Sequence, residues 1–547
     1  MEIREYISAN RARFLEEWAS LLRIPSVSCQ PEHKADMMRC AERWKELLLE
    51  AGADKAEIMD APVLANGEKG NPFVYAEKVL DYGTEGTRNK VEGTWNKEEG
   101  TRNKVEGTWN KEEGTRNKVE GTRNKEQGAK TAEAEGNKTE NETETTKETL
   151  TVLVYGHYDV MPEEPTEEWM SNPWEAEIRD GRLYARGADD DKGQTMIQVK
   201  AFEYLVKEQG TRSKEQGTRS KEQGERSKEQ GERALRIKFI LEGEEEIGSP
   251  SLEAFIEEHK ELLKCDVILV SDTSMIGKET PSITTGLRGL AYWQIEVDGP
   301  NRDLHSGHFG GAVKNPINAL CEMLSKVIDG NGKITIPGFY DDVLPIPDEE
   351  RKMIAKIPFN EAKYKAAIDV DALAGERGYS TLERNSCRPS FDICGIWGGY
   401  MGPGSKTVLP SKAFAKVSCR LVANQDHEKI SQAFAEYMQA IAPKGVRVKV
   451  KPMHGGQGYV CPIDLPAYKA AEKGFEVAFG KKPLAARRGG SIPIIADFER
   501  ILGVKTILMG FGLEQNAIHS PNESMDLEVW ENGIVAVSEF YRNLKNA

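Results

Sequence analysis

Side chains that could bind metal ions follow four strand-like segments of this sequence. Each segment is short, rich in β-branched residues and bounded by polar residues, which is typical of a buried strand. In chain order they are residues 152–155 before His157 and Asp159, residues 237–241 before Glu244, Glu245 and Glu246, residues 267–270 before Asp272, and residues 506–509 ahead of the loop that carries His519. A fifth cluster, the three consecutive aspartates 189–191, precedes a helix-like segment.

These five clusters together predict a metal site. Open α/β sheets bind ligands at the carboxyl ends of their strands, and carboxylates gathered there repel one another unless cations neutralise them. Imidazole and carboxylate ligands without thiolates suit zinc or manganese in a hydrolytic site with an open position for water. Each cluster alone also fits an ordinary role: His157 as a core histidine satisfied by Asp159, and residues 244–246 as a solvated acidic run.

The elements around the clusters predict an α/β protein. Apolar residues at helical spacing predict two helices within residues 1–53 and others at 195–206, 251–263, 467–478 and 527–544. Strands alternate with these helices, which is typical of a mostly parallel sheet with helices on its faces. From about residue 286 the pattern changes to alternating polar and apolar residues, at 292–297 and 412–421, around a helix at 316–328. This change predicts a separate α+β domain with antiparallel strands, inserted into the first domain.

Two low-complexity tracts, at about residues 84–147 and 208–233, interrupt this pattern. In the first, glycine recurs at every seventh position from Gly86 to Gly128. A coiled coil needs two apolar positions in each heptad, and glycine stands in their place here. We therefore expect solvated, largely disordered insertions in surface connections. The predicted domains are residues 1–285, containing both insertions, an inserted domain at 286–453, and residues 454–547, which complete the first domain.

Composition narrows the class of protein. The formal net charge of −15 argues against nucleic acid or an anionic membrane as a main partner, because both need a concentrated basic surface. No apolar stretch approaches the length of a membrane-spanning helix, and residues 1–22 lack the pattern of a secretory signal. The eight cysteines are scattered without a CxxC pair, which favours reduced thiols. A cytoplasmic protein is the prediction.

Five motifs resemble those of a known family, the di-zinc metallopeptidases that include aminoacylases, carboxypeptidase G-type enzymes, succinyl-diaminopimelate desuccinylases and the cytosolic dipeptidases related to carnosinase. The motifs are Gly-His-Tyr-Asp-Val-Met-Pro at 156–162, Arg-Gly-Ala-Asp-Asp-Asp-Lys-Gly at 186–193, Glu-Glu-Ile-Gly-Ser at 245–249, Ser271-Asp272, and Ala-Ile-His-Ser-Pro-Asn-Glu at 517–523. The resemblance covers nearly the whole chain outside the repeats, and residues 281–289 and 404–410 are most similar to the carnosinase-like branch. It implies a metallopeptidase domain with an inserted lid and dimerisation domain.

The resemblance also implies two divalent metal ions, zinc or manganese, and five ligands. These are His157 and Asp272 for one ion, Glu246 and His519 for the other, and Asp190 as the bridge between them. Among the three adjacent aspartates, only Asp190 fits the family's Asp-x-Lys-Gly spacing. Glu245 resembles the general base, and Asp159 resembles the carboxylate that orients His157.

Further positions resemble the family's catalytic histidine and its substrate-binding residues. His305, within residues 303–307, matches a histidine that stabilises the oxyanion, often across a dimer interface, and this implies a homodimer. Arg420 matches the arginine that binds a substrate carboxylate, with Thr407 and Ser491 near it, and His454 also resembles a substrate-side residue. His308 has no counterpart and is interpreted as a surface histidine.

The sequence therefore predicts a metal-dependent dipeptidase that hydrolyses short peptides with a free C-terminal carboxylate through a metal-activated water. An N-acyl amino acid deacylase of the acetylornithine or succinyl-diaminopimelate type would use the same metals and is the first alternative. The second is an inactive scaffold whose repeats are the working part. The complete ligand set favours an enzyme, since an idle site gains nothing from buried carboxylates.

Overall fold

The computed structural model describes residues 2–64, 67, 69–81, 149–222 and 234–546, and among these it leaves out only the side chains of 212–222. The first repeat tract and the end of the second therefore lie outside the described residues. The described residues belong to one compact unit, formed by Met1–Gly83 and Glu148–Ala547.

Strands and helices alternate along the first part of the chain. The strands are β1 (Lys55–Met59), β2 (Phe73–Leu80), β3 (Leu150–His157), β4 (Glu177–Arg179), β5 (Arg182–Tyr184), β6 (Leu235–Glu242), β7 (Val267–Val270) and β8 (Ser282–Leu287). The helices are α1 (Ile3–Leu22), α2 (Lys34–Glu50), α3 (Lys192–Glu222), α4 (Leu252–Glu258) and α5 (Lys260–Leu263).

The middle part supplies a second set of elements. Its strands are β9 (Gly289–Asp298), β10 (Leu304–His305), β11 (Ser390–Gly398), β12 (Val408–Leu409), β13 (Lys412–Leu421) and β14 (Arg447–Gly456). Its helices are α6 (Ser306–Phe309), α7 (Pro316–Leu324), α8 (Asp348–Ile354), α9 (Glu361–Ala367), α10 (Thr381–Ser386) and α11 (His427–Ala440).

The last part returns to the first sheet. It contains β15 (Tyr459–Val460), β16 (Leu484–Arg488), β17 (Thr506–Leu508), β18 (Ser524–Asp526), α12 (Pro466–Phe479), α13 (Pro493–Leu502) and α14 (Leu527–Leu544).

A nine-stranded sheet forms the centre of the first and last parts, in the order β1-β2-β6-β3-β7-β17-β8-β15, with β16 beside β8. The neighbours β6, β3, β7 and β17 are all parallel, and they correspond to the four predicted strands that precede candidate metal ligands. Residues 152–157 of β3 are completely buried, as expected for a parallel strand covered on both faces. Helices pack on this sheet, where Trp18 of α1 stacks on Trp530 of α14 with ring centroids 5.0 Å apart. The predicted α/β fold class is confirmed.

The chain leaves this sheet after β8 and returns to it at β15. Between them lies a four-stranded antiparallel sheet in the order β11-β13-β9-β14. Buried and half-buried residues alternate along β9 and β13, and the buried ones pack against α7 and α11 in a hydrophobic core of their own. The other face carries Tyr292 and Arg420, which are only half-buried.

The second repeat tract differs from its prediction over residues 208–222, where α3 continues as a helix instead of a largely disordered segment. The buried first half of α3 supplies the nucleus, so each further residue adds to an existing helix. Lysine, glutamate, glutamine and arginine are good helix formers, and Gly210 costs only about 1 kcal/mol relative to alanine. Across the described ranges, no helix is both long and apolar enough to span a membrane.

Candidate metal centre and substrate site

Three parallel strands place predicted ligands side by side. His157 is the last residue of β3, Asp272 lies two residues past β7, and Glu245 and Glu246 lie in a 3-10 turn three and four residues past β6. Because β6, β3 and β7 are adjacent and parallel, their carboxyl ends open into one crevice. This crevice is the position at which the strand ends in the sequence predict a metal site.

Asp190 lies between two histidines in this crevice. One carboxylate oxygen, Oδ1, is 3.0 Å from Nε2 of His157, and the other, Oδ2, is 2.9 Å from Nε2 of His519. Asp190 comes from the turn before α3, whereas His519 comes from the loop between β17 and β18. A carboxylate with each oxygen directed to a different histidine has the geometry of a bridging ligand.

The five predicted ligands form two groups that share Asp190. His157, Asp190 and Asp272 form one, and Asp190, Glu246 and His519 form the other. Within each group the candidate ligand atoms all lie within 4.8 Å of one another. Oε1 of Glu246 is buried without a hydrogen-bond partner, which leaves a lone pair free for a cation. Imidazole nitrogens with carboxylate oxygens fit zinc or manganese.

The protonation of the cluster reflects its burial. Burial raises the pKa of Glu245 to about 7, and the nearby charges of Asp190 and Glu246 add to this effect. Burial also raises the pKa of Asp272 well above its usual value. Burial opposes ionisation of Asp190 as well, but hydrogen bonds from His157 and His519 hold the pKa of its carboxyl below the usual range. Cations would relieve the repulsion among these carboxylates.

Asp159 does more than the sequence predicts. Its Oδ1 is 3.3 Å from Nδ1 of His157, next to the ring that the sequence predicts it to orient. The same carboxylate also accepts the backbone N–H of Glu245 at 3.2 Å and that of Glu246 at 3.1 Å. Asp159, which is fully buried, therefore joins the loop of the candidate base to a candidate metal ligand.

Two of the predicted substrate residues are in direct contact. Nη1 of Arg420, on β13, donates to Oγ of Ser491 at 2.7 Å across 71 residues of sequence. Arg288 lies beside this pair, and its Nε donates to the backbone oxygen of Gly489 at 3.0 Å. Burial and the charge of Arg420 lower the pKa of Arg288 to about 10. Two neighbouring guanidiniums attract an anionic group such as a carboxylate.

Three other predicted substrate residues lie on the middle part of the chain and are exposed. His305 pairs with Val408 in the short β10-β12 sheet, so it lies next to Thr407. His454 stacks on Tyr292 with ring centroids 5.0 Å apart. Among the described residues, no hydrogen bond or ion pair joins His305, Thr407 or His454 to the five clustered ligands.

The ring of His305 has local partners. Its Nδ1 accepts the backbone N–H of Gly307 at 3.0 Å, and its face stacks on His308 with centroids 4.5 Å apart. Nε2 is therefore the ring nitrogen left to contact another molecule. His308 is exposed, as the sequence predicts.

The sequence alone indicates no role for Arg288 or for Glu523. Both lie inside motifs that carry the family resemblance, at 281–289 and 517–523. Their contacts depend on residues that are distant in sequence, so only the motif, and not the contact, could have indicated them.

Two groups of imidazole and carboxylate ligands, gathered in the crevice at the carboxyl ends of parallel strands, fit a metal-dependent hydrolase. The chain matches the family described as Peptidase family M20/M25/M40 over residues 153–215, and the Peptidase dimerisation domain over residues 285–446. It is 32% identical over 390 residues to the Cys-Gly metallodipeptidase dug1 of Schizosaccharomyces pombe, covering 70% of this chain and 78% of that protein. The chain belongs to this peptidase family.

Other peptidases are similar to this chain over most of its length. The human Beta-Ala-His dipeptidase is 31% identical over 382 residues, which cover 69% of this chain and 71% of that protein. The crystal structure of human carnosine dipeptidase 1 matches with a TM-score of 0.70 and 25% identity, over 100% of this chain and 98% of that one. The M20 metallo-carboxypeptidase Sso-CP2 of Sulfolobus solfataricus has a TM-score of 0.72 at 25% identity, over 98% and 99% of the two chains. These matches confirm the predicted family and hydrolase class, and they favour the dipeptidase prediction over the deacylase alternative.

Proposed function

We propose that this protein is a dipeptidase dependent on two divalent metal ions, zinc or manganese, acting on short peptides with a free C-terminal carboxylate. The observation that carries the proposal is the pair of ligand groups that share Asp190, with Glu245 on the same turn as the ligand Glu246. When bound, such ions activate a water molecule and polarise the scissile carbonyl.

Glu245 is proposed as the general base. A base works best when its pKa lies near the working pH, and burial raises the pKa of Glu245 to about 7. Its carboxylate would take the proton of the attacking water and then deliver it to the leaving amine. Asp159 would hold the Glu245 backbone for this step through the bond from the Glu245 N–H.

Arg420, with Ser491 and Arg288, is proposed to bind the C-terminal carboxylate of the peptide. A guanidinium such as that of Arg420 can offer two parallel donors to a carboxylate, and Arg288 adds positive charge beside it. Thr407 and His454 are proposed as further substrate contacts. His305 is proposed to donate from Nε2 to the oxyanion that develops on the substrate.

The protein is proposed to be a homodimer. The match to a dimerisation domain over residues 285–446 supports this, as does the exposed position of His305, which could serve the site of a partner subunit. We propose residues 286–453 as the lid and dimerisation domain, and residues 1–285 and 454–547 as the catalytic domain. A cytoplasmic location is proposed, and the eight free cysteines support it.

Steady-state kinetics with matched substrates test the proposal. Cys-Gly and β-Ala-His, the dipeptides for which relatives are named, should be hydrolysed with a higher kcat/KM than N-acetyl and N-succinyl amino acids. Removal of metal with a chelator should abolish activity, and zinc or manganese should restore it. A strong preference for the acyl substrates would instead support the deacylase alternative.

Metal content gives a second test. Purified protein should hold close to two ions per chain, and Asp190→Ala should lower the occupancy of both. A single ion that survives this substitution would contradict the bridging position of Asp190.

A further inference from the structure

A buried carboxylate outside the ligand set joins the loops of Asp190 and His519. Glu523 follows His519 by four residues and lies directly before β18, and its side chain is only 1% exposed. Its backbone oxygen accepts the N–H of Ala185 at 3.1 Å. Because β18 pairs with β5, this contact extends an antiparallel pairing into the two loops that carry the ligands.

Both oxygens of the Glu523 carboxylate face the loop that leads to Asp190. Oε1 accepts the backbone N–H of Asp189 at 2.9 Å and that of Asp190 at 3.1 Å. Oε2 accepts the backbone N–H of Gly187 at 3.0 Å and Nη1 of Arg186 at 2.9 Å. A carboxylate offers about four lone pairs, so these four donors use its full capacity.

Arg186 extends the same network to a third chain segment. Its Nη2 donates to the backbone oxygen of Pro162 at 2.9 Å, five residues beyond His157, and its side chain is 1% exposed. The pair of Arg186 and Glu523 thus contacts the segments that supply His157, Asp190 and His519. A buried pair with this many partners is expensive to disturb, since removal of one member leaves the other charge unpaired.

We infer that Glu523 is a positioning residue of the metal centre, which fixes the backbone of Asp190 so that its two oxygens face the two ligand groups. The inference rests on the proposed metal site, but not on the substrate. Side chains that orient metal ligands change metal affinity when they are replaced, even though they do not touch the metal.

The test is the zinc affinity of Glu523→Gln, measured by chelator competition on metal-free full-length protein. The amide NH2 would face backbone N–H donors in place of an acceptor oxygen, and Arg186 would lose its counter-charge. We expect the dissociation constant to rise by about 10- to 100-fold for both ions, because Asp190 belongs to both groups. Glu523→Asp keeps the charge with a shorter reach and should lose less affinity.

Glu376→Gln is the matched control. Glu376 accepts two hydrogen bonds from Arg388, at 2.7 and 2.9 Å, and the two side chains are 12% and 7% exposed. This pair lies in the middle part of the chain. Among the described residues, no hydrogen bond or ion pair joins it to any of the five ligands. Its loss should lower the melting temperature without a change in zinc affinity.

The outcomes separate positioning from simple stabilisation. A folded Glu523→Gln variant with zinc affinity within about threefold of wild type would overturn the inference, as would an equal loss of affinity in Glu376→Gln. If Glu523→Gln does not fold, Glu523→Asp decides: reduced zinc affinity supports the inference and wild-type affinity overturns it. A wild-type protein that binds two ions but hydrolyses no dipeptide would contradict the proposed function and leave this zinc comparison intact.

Discussion

The carboxylate of Asp159 accepts the backbone N–H of Glu245 at 3.2 Å, so the candidate general base is held by the residue that also lies beside His157. Asp159→Asn would place an NH2 group opposite one of these donors. We expect kcat to fall by roughly 10- to 100-fold, because both the His157 ring and the Glu245 turn lose their support. The measurement is kcat at saturating zinc, with Asp348→Asn on the exposed surface of α8 as the control. If kcat of the variant recovers fully at saturating zinc, Asp159 supports only the metal ligand His157 and not the turn of Glu245.

Replacement of Glu245 by glutamine should remove proton transfer and leave the metal ligands in place. We expect kcat to fall by about 10²- to 10⁴-fold while KM and metal content change little, because general base catalysis contributes on this scale. Kinetics and metal analysis of the same sample check both parts. Glu257→Gln, at an exposed position of α4, is the control. Loss of metal from Glu245→Gln would make Glu245 a ligand instead of a base.

The strands that precede the candidate ligands could be predicted from the sequence. Residues 152–155 and 237–241 are short, mostly apolar segments bounded by polar residues, so the sequence predicts these buried strands and the candidate ligands after them. The strand β8 was missed from pattern alone, because it is completely buried although Ser282, Thr284 and Thr285 are polar. Helix α9 was also missed, since it buries no residue and has no apolar face to show a helical period.

The candidate site was also predictable only in part from the sequence. Residue types and strand ends predicted a metal site, but the assignment of Asp190 among three aspartates needed the family motif. In the structure the other two aspartates have local partners, since Asp189 accepts from Asn516 at 2.6 Å and Asp191 accepts from Thr195 at 2.6 Å. Such contacts across the fold leave no periodic trace in a sequence.

The metal-free protein should lose stability as the pH rises. Burial raises the pKa of Glu245 to about 7 and that of Glu242 to about 8, whereas in the unfolded chain both titrate near 4.5. Between these values the folded state holds protons that the unfolded state has released, so the stabilisation is complete below about pH 4.5 and is lost towards pH 8. His519, whose pKa is raised to about 10 by Asp190 and Glu246, changes stability in the same direction.

Urea unfolding of chelator-treated protein at pH 6 and pH 8 measures this effect. Each raised carboxyl contributes up to about 1.4 kcal/mol per pH unit to the fall in the free energy of unfolding. Bound zinc should reverse the trend, since cations stabilise the ionised carboxylates. A metal-free protein that is more stable at pH 8 than at pH 6 would contradict the protonation of the cluster.

Arg420→Lys should weaken recognition of the C-terminal carboxylate. Lysine keeps the charge but cannot supply two parallel donors, and its contact with Ser491 would change. We expect kcat/KM for a dipeptide to fall by about 10- to 100-fold, while that for the matching dipeptide amide changes much less. Arg377→Lys, at an exposed position of the middle part, is the control. Equal losses for the acid and the amide would remove Arg420 from carboxylate binding.

The first repeat tract should be dispensable for catalysis, because the strand before it ends close to where the strand after it begins. Leu80 of β2 and Leu150 of β3 both pair with Leu235, on opposite sides of β6. Two strand spacings separate them by about 10 Å, a distance that a turn of a few residues spans. We expect replacement of residues 84–147 by a short Gly/Ser linker to leave kcat/KM within about twofold of wild type.

Less of the second repeat tract can be replaced, because its first residues contact the folded core. The carboxylate of Glu208 accepts Nη2 of Arg542 at 2.6 Å, and Nε2 of Gln209 donates to the backbone oxygen of Asp81 at 2.8 Å. Replacement of residues 212–233 by a linker should therefore preserve both activity and melting temperature, whereas a cut that begins at 208 should lower the melting temperature. If either linker variant keeps two bound ions but loses activity, the repeats take part in catalysis and this prediction is wrong.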